Sequence, residues 1–114
     1  MSEREPDLLF KDMLDSAEKI IRYTSKHTKE DFLNDQKTID AVIRNFEIIG
    51  EAANRLPEAS KTKIPNLEWN KLRGFRNRLV HDYIGIDYDL VWTTKNKILP
   101  ELILSIINLL NITE

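Results

Sequence analysis

The spacing of apolar residues constrains this chain more than any other feature of it. Phe10, Met13, Leu14, Ala17, Ile20, Ile21 and Thr24 recur at intervals of three and four, and so do Ile39, Val42, Ile43, Phe46, Ile49 and Ala53. That period gathers each set on one face of an α-helix, whereas the side chains of a strand alternate in twos. The first set predicts helix 1 from about Asp7 to Lys26. The second predicts helix 2 from about Asp35 to Arg55, with Asp35 as its N-cap. A polar connector, Thr28 to Asn34, separates them, and Pro57 and Pro65 bracket a linker or a short turn of helix. Helix 3 is expected to start at Asn66 to Glu68 and run to about His81; helix 4 should run from Tyr88, behind an Asp87 N-cap, towards Leu110. Pro100 removes the hydrogen bond to the Asn96 carbonyl, so helix 4 should be kinked or broken there. Gly50 lies on the apolar stripe of helix 2, where close approach of a neighbouring helix would offset its cost.

No alternating strand pattern, repeat or low-complexity tract is visible. The expected fold is therefore all-α, a single domain over residues 1–114 built as an antiparallel four-helix, up-and-down bundle. With 41% hydrophobic and 32% charged residues the chain has the balance of a folded, water-soluble protein. It has no cysteine, which excludes disulfides and thiolate metal sites and fits a reducing cytoplasm, the expected location. The charged opening Ser2 to Asp7 does not read as a secretory signal. Ile98 to Ile112 is strongly apolar, but it is too short for a bilayer and is interrupted by Pro100 and Glu101. It reads as a core or interface helix, and no membrane association is expected.

The net charge of -2 conceals an asymmetry. Lys61, Lys63, Lys71, Arg73, Arg76 and Arg78 face only Glu68 and Asp82 between residues 61 and 83. Such a concentration can form a local polyanion site on an acidic protein, and a solvated helix face gives the same count. Within it lies the octet Arg76-Asn77-Arg78-Leu79-Val80-His81-Asp82-Tyr83. A fixed cation beside a group that titrates near neutrality suits chemistry at a phosphate. At 100° per residue Leu72, Phe75, Leu79 and Tyr83 share the core side of helix 3. Arg76 sits at the edge of that stripe, and Arg73, Asn77 and His81 follow it round, the four polar groups fanning over roughly 140°. Arg76 and His81 are thus splayed, and two copies of the groove across a two-fold axis would converge more readily than one.

Taken singly these residues have ordinary readings. His81 suits a helix C-terminus, Arg76 could pair with Glu47 or Glu51, and Tyr83 could be a core residue with its hydroxyl at the surface. His27 reads as an exposed helix end, and Trp69 and Trp92 need no role beyond packing. Other chemistries find less support. The glycines at 50, 74 and 85 are isolated, so no phosphate loop is present. The two histidines stand far apart without a ligand spacing, so neither a metal nor another cofactor is expected. Metal-independent chemistry by His, Arg, Tyr and Asn remains, and RNA suits it because its 2′-hydroxyl is a built-in nucleophile.

Arg76-x4-His81-x-Tyr83 resembles the Arg-x(4–6)-His-x-Tyr signature of HEPN-domain ribonucleases, and specifically of the HepT toxins. Ile49-Gly50-Glu51-Ala52-Ala53, the run from Trp69 and Leu72 to Arg78, Val91-Trp92 and Leu99-Pro100-Glu101-Leu102 extend the likeness from about Ile39 to Leu102. The resemblance implies a HEPN-type bundle that homodimerises so that two motifs form one cleft. It also implies metal-independent endoribonuclease activity used as the toxin of a toxin–antitoxin pair. The implied partner is a minimal nucleotidyltransferase antitoxin that transfers AMP from ATP to the motif tyrosine. On that reading Arg76 and His81 are catalytic and Tyr83 is the modification site. Arg73, Asn77 and Lys71 are candidate contacts to the RNA backbone. The competing reading is a nucleotide-binding or adaptor subunit that serves the nucleotidyltransferase and cuts nothing.

Overall fold

The structure is a computed structural model, and it describes residues 5–74 and 87–111. Helix α1 spans Pro6–Thr24 and α3 spans Gln36–Arg55, within two residues of the sequence expectation at each end. Proline at the first position of α1 is favourable, because the N–H it lacks would have had no helical partner. The Thr24 hydroxyl donates to the Ile20 carbonyl at 2.8 Å and closes the last turn. Asp35 is the N-cap of α3 as expected, accepting from the Thr38 amide at 3.1 Å and from the Thr38 hydroxyl at 2.7 Å. The apolar faces of α1 and α3 meet, and Met13, Ala17, Ile20, Val42, Ile49 and Ala53 are wholly buried between the helices. Gly50 is buried on the same face.

The expected connector between these helices is itself helical. Helix α2, Lys29–Leu33, is held by a capping box in which the Thr28 hydroxyl accepts from the Asp31 amide at 3.1 Å and the Asp31 carboxylate accepts from the Thr28 amide at 3.2 Å. Its one buried side chain, Phe32, lies 5.2 Å from the Trp92 ring. One turn is too short to show a period, and its sequence signal was the Thr-x-x-Asp cap followed by a lone aromatic. His27 departs from expectation too. It is half-buried, donates from Nε2 to Asp35 Oδ2 at 3.1 Å, and has a buried Nδ1 without a partner among the described residues. Thr38 and then His27 hold the Asp35 carboxyl down at about 2.

Helix α4, Glu58–Lys61, fills the interval between Pro57 and Pro65. Residues 69–74 are helical and are labelled α5. The last helix, α6, spans Tyr88–Leu110, with Asp87 accepting from the Leu90 amide as N-cap. It runs unbroken through Pro100, so the break allowed for at that residue does not occur. Asn96 and Pro100 are both exposed, and water can take the carbonyl that the proline leaves free. Asn111, in the left-handed conformation that asparagine tolerates, closes the C-terminus. Val91, Leu99, Leu102 and Ile106 fix α6 in the core. Lys29 pairs with Asp89 at 2.8 Å, and Asn66 donates to Glu101 at 2.6 Å, tying the links to this helix. The described residues contain helices and no strands, an all-helical bundle in which α4 is the short turn allowed for between Pro57 and Pro65 and α2 is added to the expected set.

Candidate functional site

Arg76, Asn77, His81 and Tyr83 lie outside the described residues, so their geometry rests on the sequence register alone. The structure does fix the ground leading into them. Trp69 opens α5 half-buried, its Nε1–H donating to the Ile64 carbonyl at 3.0 Å and its ring edge-on to Phe10 with centroids 6.5 Å apart. Leu72 is buried, as its place on the core stripe requires. Trp69 and Leu72 thereby fix the rotation of α5 about its axis.

Among the described residues, depressions lie on two sides of α5. One, of about 260 Å³, is lined by Glu58, Lys61 and Thr62 from the α4 region and by Trp69, Asn70 and Arg73 from α5. The other, of about 560 Å³, lies between α5 and α6 and includes Lys71, Gly74, Leu90, Lys97 and Ile98 in its lining. At 100° per residue Trp69, Arg73 and Asn70 occupy one arc of about 100°, while Glu68, Lys71 and Gly74 occupy the opposite arc. The two described residues expected to touch RNA therefore face different ways. Arg73 donates to Asn70 Oδ1 at 2.8 Å, whereas Lys71 is held by Glu68 at 3.0 Å. Sequence reasoning counted Lys61 only as one more cation and gave Trp69 no role beyond packing. Both line the smaller depression, and Lys61 is buried, its Nζ 3.5 Å from Glu58. The signal for them was present only as cations and an aromatic brought near by a proline-bounded turn.

Trp92 also does what packing predicts, with one addition. Lys95 is buried, and its Nζ stands 3.8 Å from the centre of the Trp92 ring; burial pushes its ammonium pKa down. Among the described residues no group of His, Asp and Glu side chains could hold a metal ion, and no helix is long and apolar enough to cross a membrane.

An all-helical bundle whose sequence carries Arg76-x4-His81-x-Tyr83 defines a class, that of HEPN-type helical domains. The family can be named more closely. A family model described as Ribonuclease HepT-like matches residues 13–109, and this chain belongs to that family. Among curated relatives, a putative RNase of Methanocaldococcus jannaschii is 37% identical over 102 residues, covering 90% of this chain and 94% of its own. A second putative RNase of that organism is 38% identical over 92 residues, 81% of this chain and 76% of its own. A probable ribonuclease HepT of Thermococcus cleftensis is 38% identical over 91 residues, covering 80% and 83%. No solved structure matches the chain.

Proposed function

We propose that this member of the HepT-like ribonuclease family is a metal-independent endoribonuclease that acts as a toxin and is silenced by AMP transfer to Tyr83. One observation carries the reading: the family match spans the segment in which Arg76, His81 and Tyr83 all stand at the motif positions. In the reaction the 2′-hydroxyl attacks the adjacent phosphorus and the 5′-oxygen leaves. The products are a 2′,3′-cyclic phosphate and a 5′-hydroxyl end. Arg76 supplies a permanent, bidentate cation for the charge that grows on the phosphorane. His81 takes the proton of the 2′-hydroxyl or gives one to the leaving oxygen. One motif histidine per chain serves one of these tasks, and a homodimer supplies the second. Arg73 and Asn77 contact the RNA backbone; Lys71, expected to do the same, lies on the opposite arc of α5, paired with Glu68.

The dimer reading draws support from α6. Leu104 is 61% exposed, and Ile103 and Ile107 beside it are only half-buried, an apolar face suited to a second copy. In the regulatory step the Tyr83 phenol oxygen attacks the α-phosphorus of ATP on a nucleotidyltransferase antitoxin, releasing pyrophosphate. The added phosphate places bulk and negative charge two residues from His81 and competes with RNA for Arg76. The toxin would act in the cytoplasm, where its RNA substrate is.

The test is cleavage of total RNA by the purified protein in EDTA. Arg76→Ala and His81→Ala are each expected to abolish cleavage while keeping wild-type helical content and melting. Cleavage that persists in His81→Ala, or that requires a divalent cation, would sink the mechanism.

A further inference from the structure

The smaller depression beside α5 brings Arg73 together with Lys61 and Trp69, which have no part in the motif or in the proposed chemistry. Lys61 is covered along its stem, and among the described residues the carboxylate that pairs with its ammonium is Glu58, at 3.5 Å and itself largely exposed. An ammonium has three donors, and one long ion pair leaves donor capacity for a further anion. Arg73 stands across the depression with Nη2 held by Asn70 Oδ1 at 2.8 Å, which fixes the guanidinium and leaves its other N–H groups to donate elsewhere. Trp69 lines the same depression, anchored by its Nε1–H and by Phe10, so its ring has a fixed orientation there. Two cations and a rigid aromatic gathered in one depression match a nucleotide, with its phosphate on the cations and its base on the ring.

We infer that this depression is a subsite for one nucleotide of the single-stranded RNA, its base against Trp69 and its phosphate between Lys61 and Arg73. The inference rests on the ribonuclease reading and adds to it a place that grips the strand away from the scissile bond. The register of α5 supports it. Trp69, Arg73 and Asn70 lie in the arc where the sequence period also puts Arg76, Asn77 and His81, while Lys71 lies in the opposite arc. On the sequence expectation of one helix running to His81, a rise of 1.5 Å per residue sets positions 73 and 81 about 12 Å apart along the axis, so the subsite takes a flanking nucleotide and not the one being cut. Glu58 opposes the phosphate and must give up Lys61 when RNA arrives.

The experiment is fluorescence anisotropy on the full chain with labelled, fully 2′-O-methylated oligonucleotides, which lack the attacking hydroxyl, of two and eight residues over a range of salt. Wild type is expected to bind the octamer far better than the dimer. Lys61→Met, which keeps the buried stem, and Arg73→Gln should each weaken octamer binding and each reduce the slope of log K against log salt by about 0.7, the loss of one phosphate contact on a single strand. Glu58→Gln should strengthen binding. Lys63→Gln removes the same charge from an exposed neighbour outside the depression and should behave as wild type. Trp69→Leu should cost about tenfold, within the range for one stacked base, and Trp69→Phe should restore most of it. Circular dichroism checks that each variant is folded. The subsite is overturned if Lys61→Met and Arg73→Gln shift the slope no more than Lys63→Gln does. Failure of wild type to bind either oligonucleotide would instead overturn the RNA reading on which the subsite stands.

Discussion

Replacing Phe32 with alanine tests whether α2 is a structural clasp or a mere link between α1 and α3. Phe32 is wholly buried and is the only buried side chain of α2. Its ring meets Trp92 of α6 at 5.2 Å, so one side chain joins the turn after α1 to the last helix of the fold. Truncating a buried phenylalanine costs about 3–5 kcal/mol, the lost transfer energy plus the void left behind. Two features favour the lower end. A five-residue helix can settle inward, and Trp92 is only half-buried and can follow. The expected cost is therefore about 3 kcal/mol, which in a domain of this size lowers Tm by roughly 12 °C. Urea denaturation at one fixed protomer concentration is the assay, because association would make stability concentration-dependent. The midpoint should fall with little change in the denaturant slope. A double-mutant cycle between Phe32→Leu and Trp92→Leu should show a coupling of about 0.5–1.5 kcal/mol. A Phe32→Ala cost below about 1 kcal/mol would refute the reasoning and return α2 to the polar connector that its sequence suggests.

Asp35→Asn should keep the α3 cap at neutral pH, since asparagine caps as well as aspartate, yet alter the acid limb. The native carboxyl titrates at about 2 against an ordinary value of 3.8, so its contribution is complete above 3.8 and is lost as pH falls towards 2. The Tm gap between wild type and variant should close over that window, and a gap independent of pH would contradict the assignment. Co-expression with a nucleotidyltransferase antitoxin should add one or more AMP units to the peptide containing Tyr83, with loss of cleavage. If Tyr83→Phe is neutralised by the antitoxin as fully as wild type, Tyr83 is not the switch. Sedimentation should give a dimer at micromolar concentration, and a monomer there would remove the case for a cleft shared by two chains.

What the sequence disclosed, and what it withheld, follows from length and locality. Helices α1, α3 and α6 span several turns each, so their period accumulates, and Asp35 and Asp87 mark their starts within a few residues of backbone. Helix α2 has one turn, and its evidence for helicity is a reciprocal cap that only geometry distinguishes from a polar loop. His27 looked exposed because its partner, Asp35, reaches it from beyond α2. The candidate catalytic set stood out because Arg76, His81 and Tyr83 sit within one octet, and all three lie outside the described residues. The depression was not, because Lys61 and Arg73 come from different helices and meet only after the Pro57–Pro65 segment has turned the chain. Lys71 and Arg73 looked equivalent as letters, and the arc of α5 separates them.

The chain has only two tryptophans, and the fold has put them in unlike surroundings. Trp92 carries an ammonium over its ring and a phenylalanine at its flank, whereas Trp69 lies in the lining of the small depression with its N–H bound to a carbonyl. A nearby positive charge alters the excited state of an indole, so the two will differ in emission colour and in quenching. The protein thereby carries two native optical reporters that need no dye. With Trp92→Phe, the remaining emission watches the depression fill. With Trp69→Phe, it watches α2 come away from α6, so ligand arrival and the loosening of the bundle can be timed separately in one cuvette.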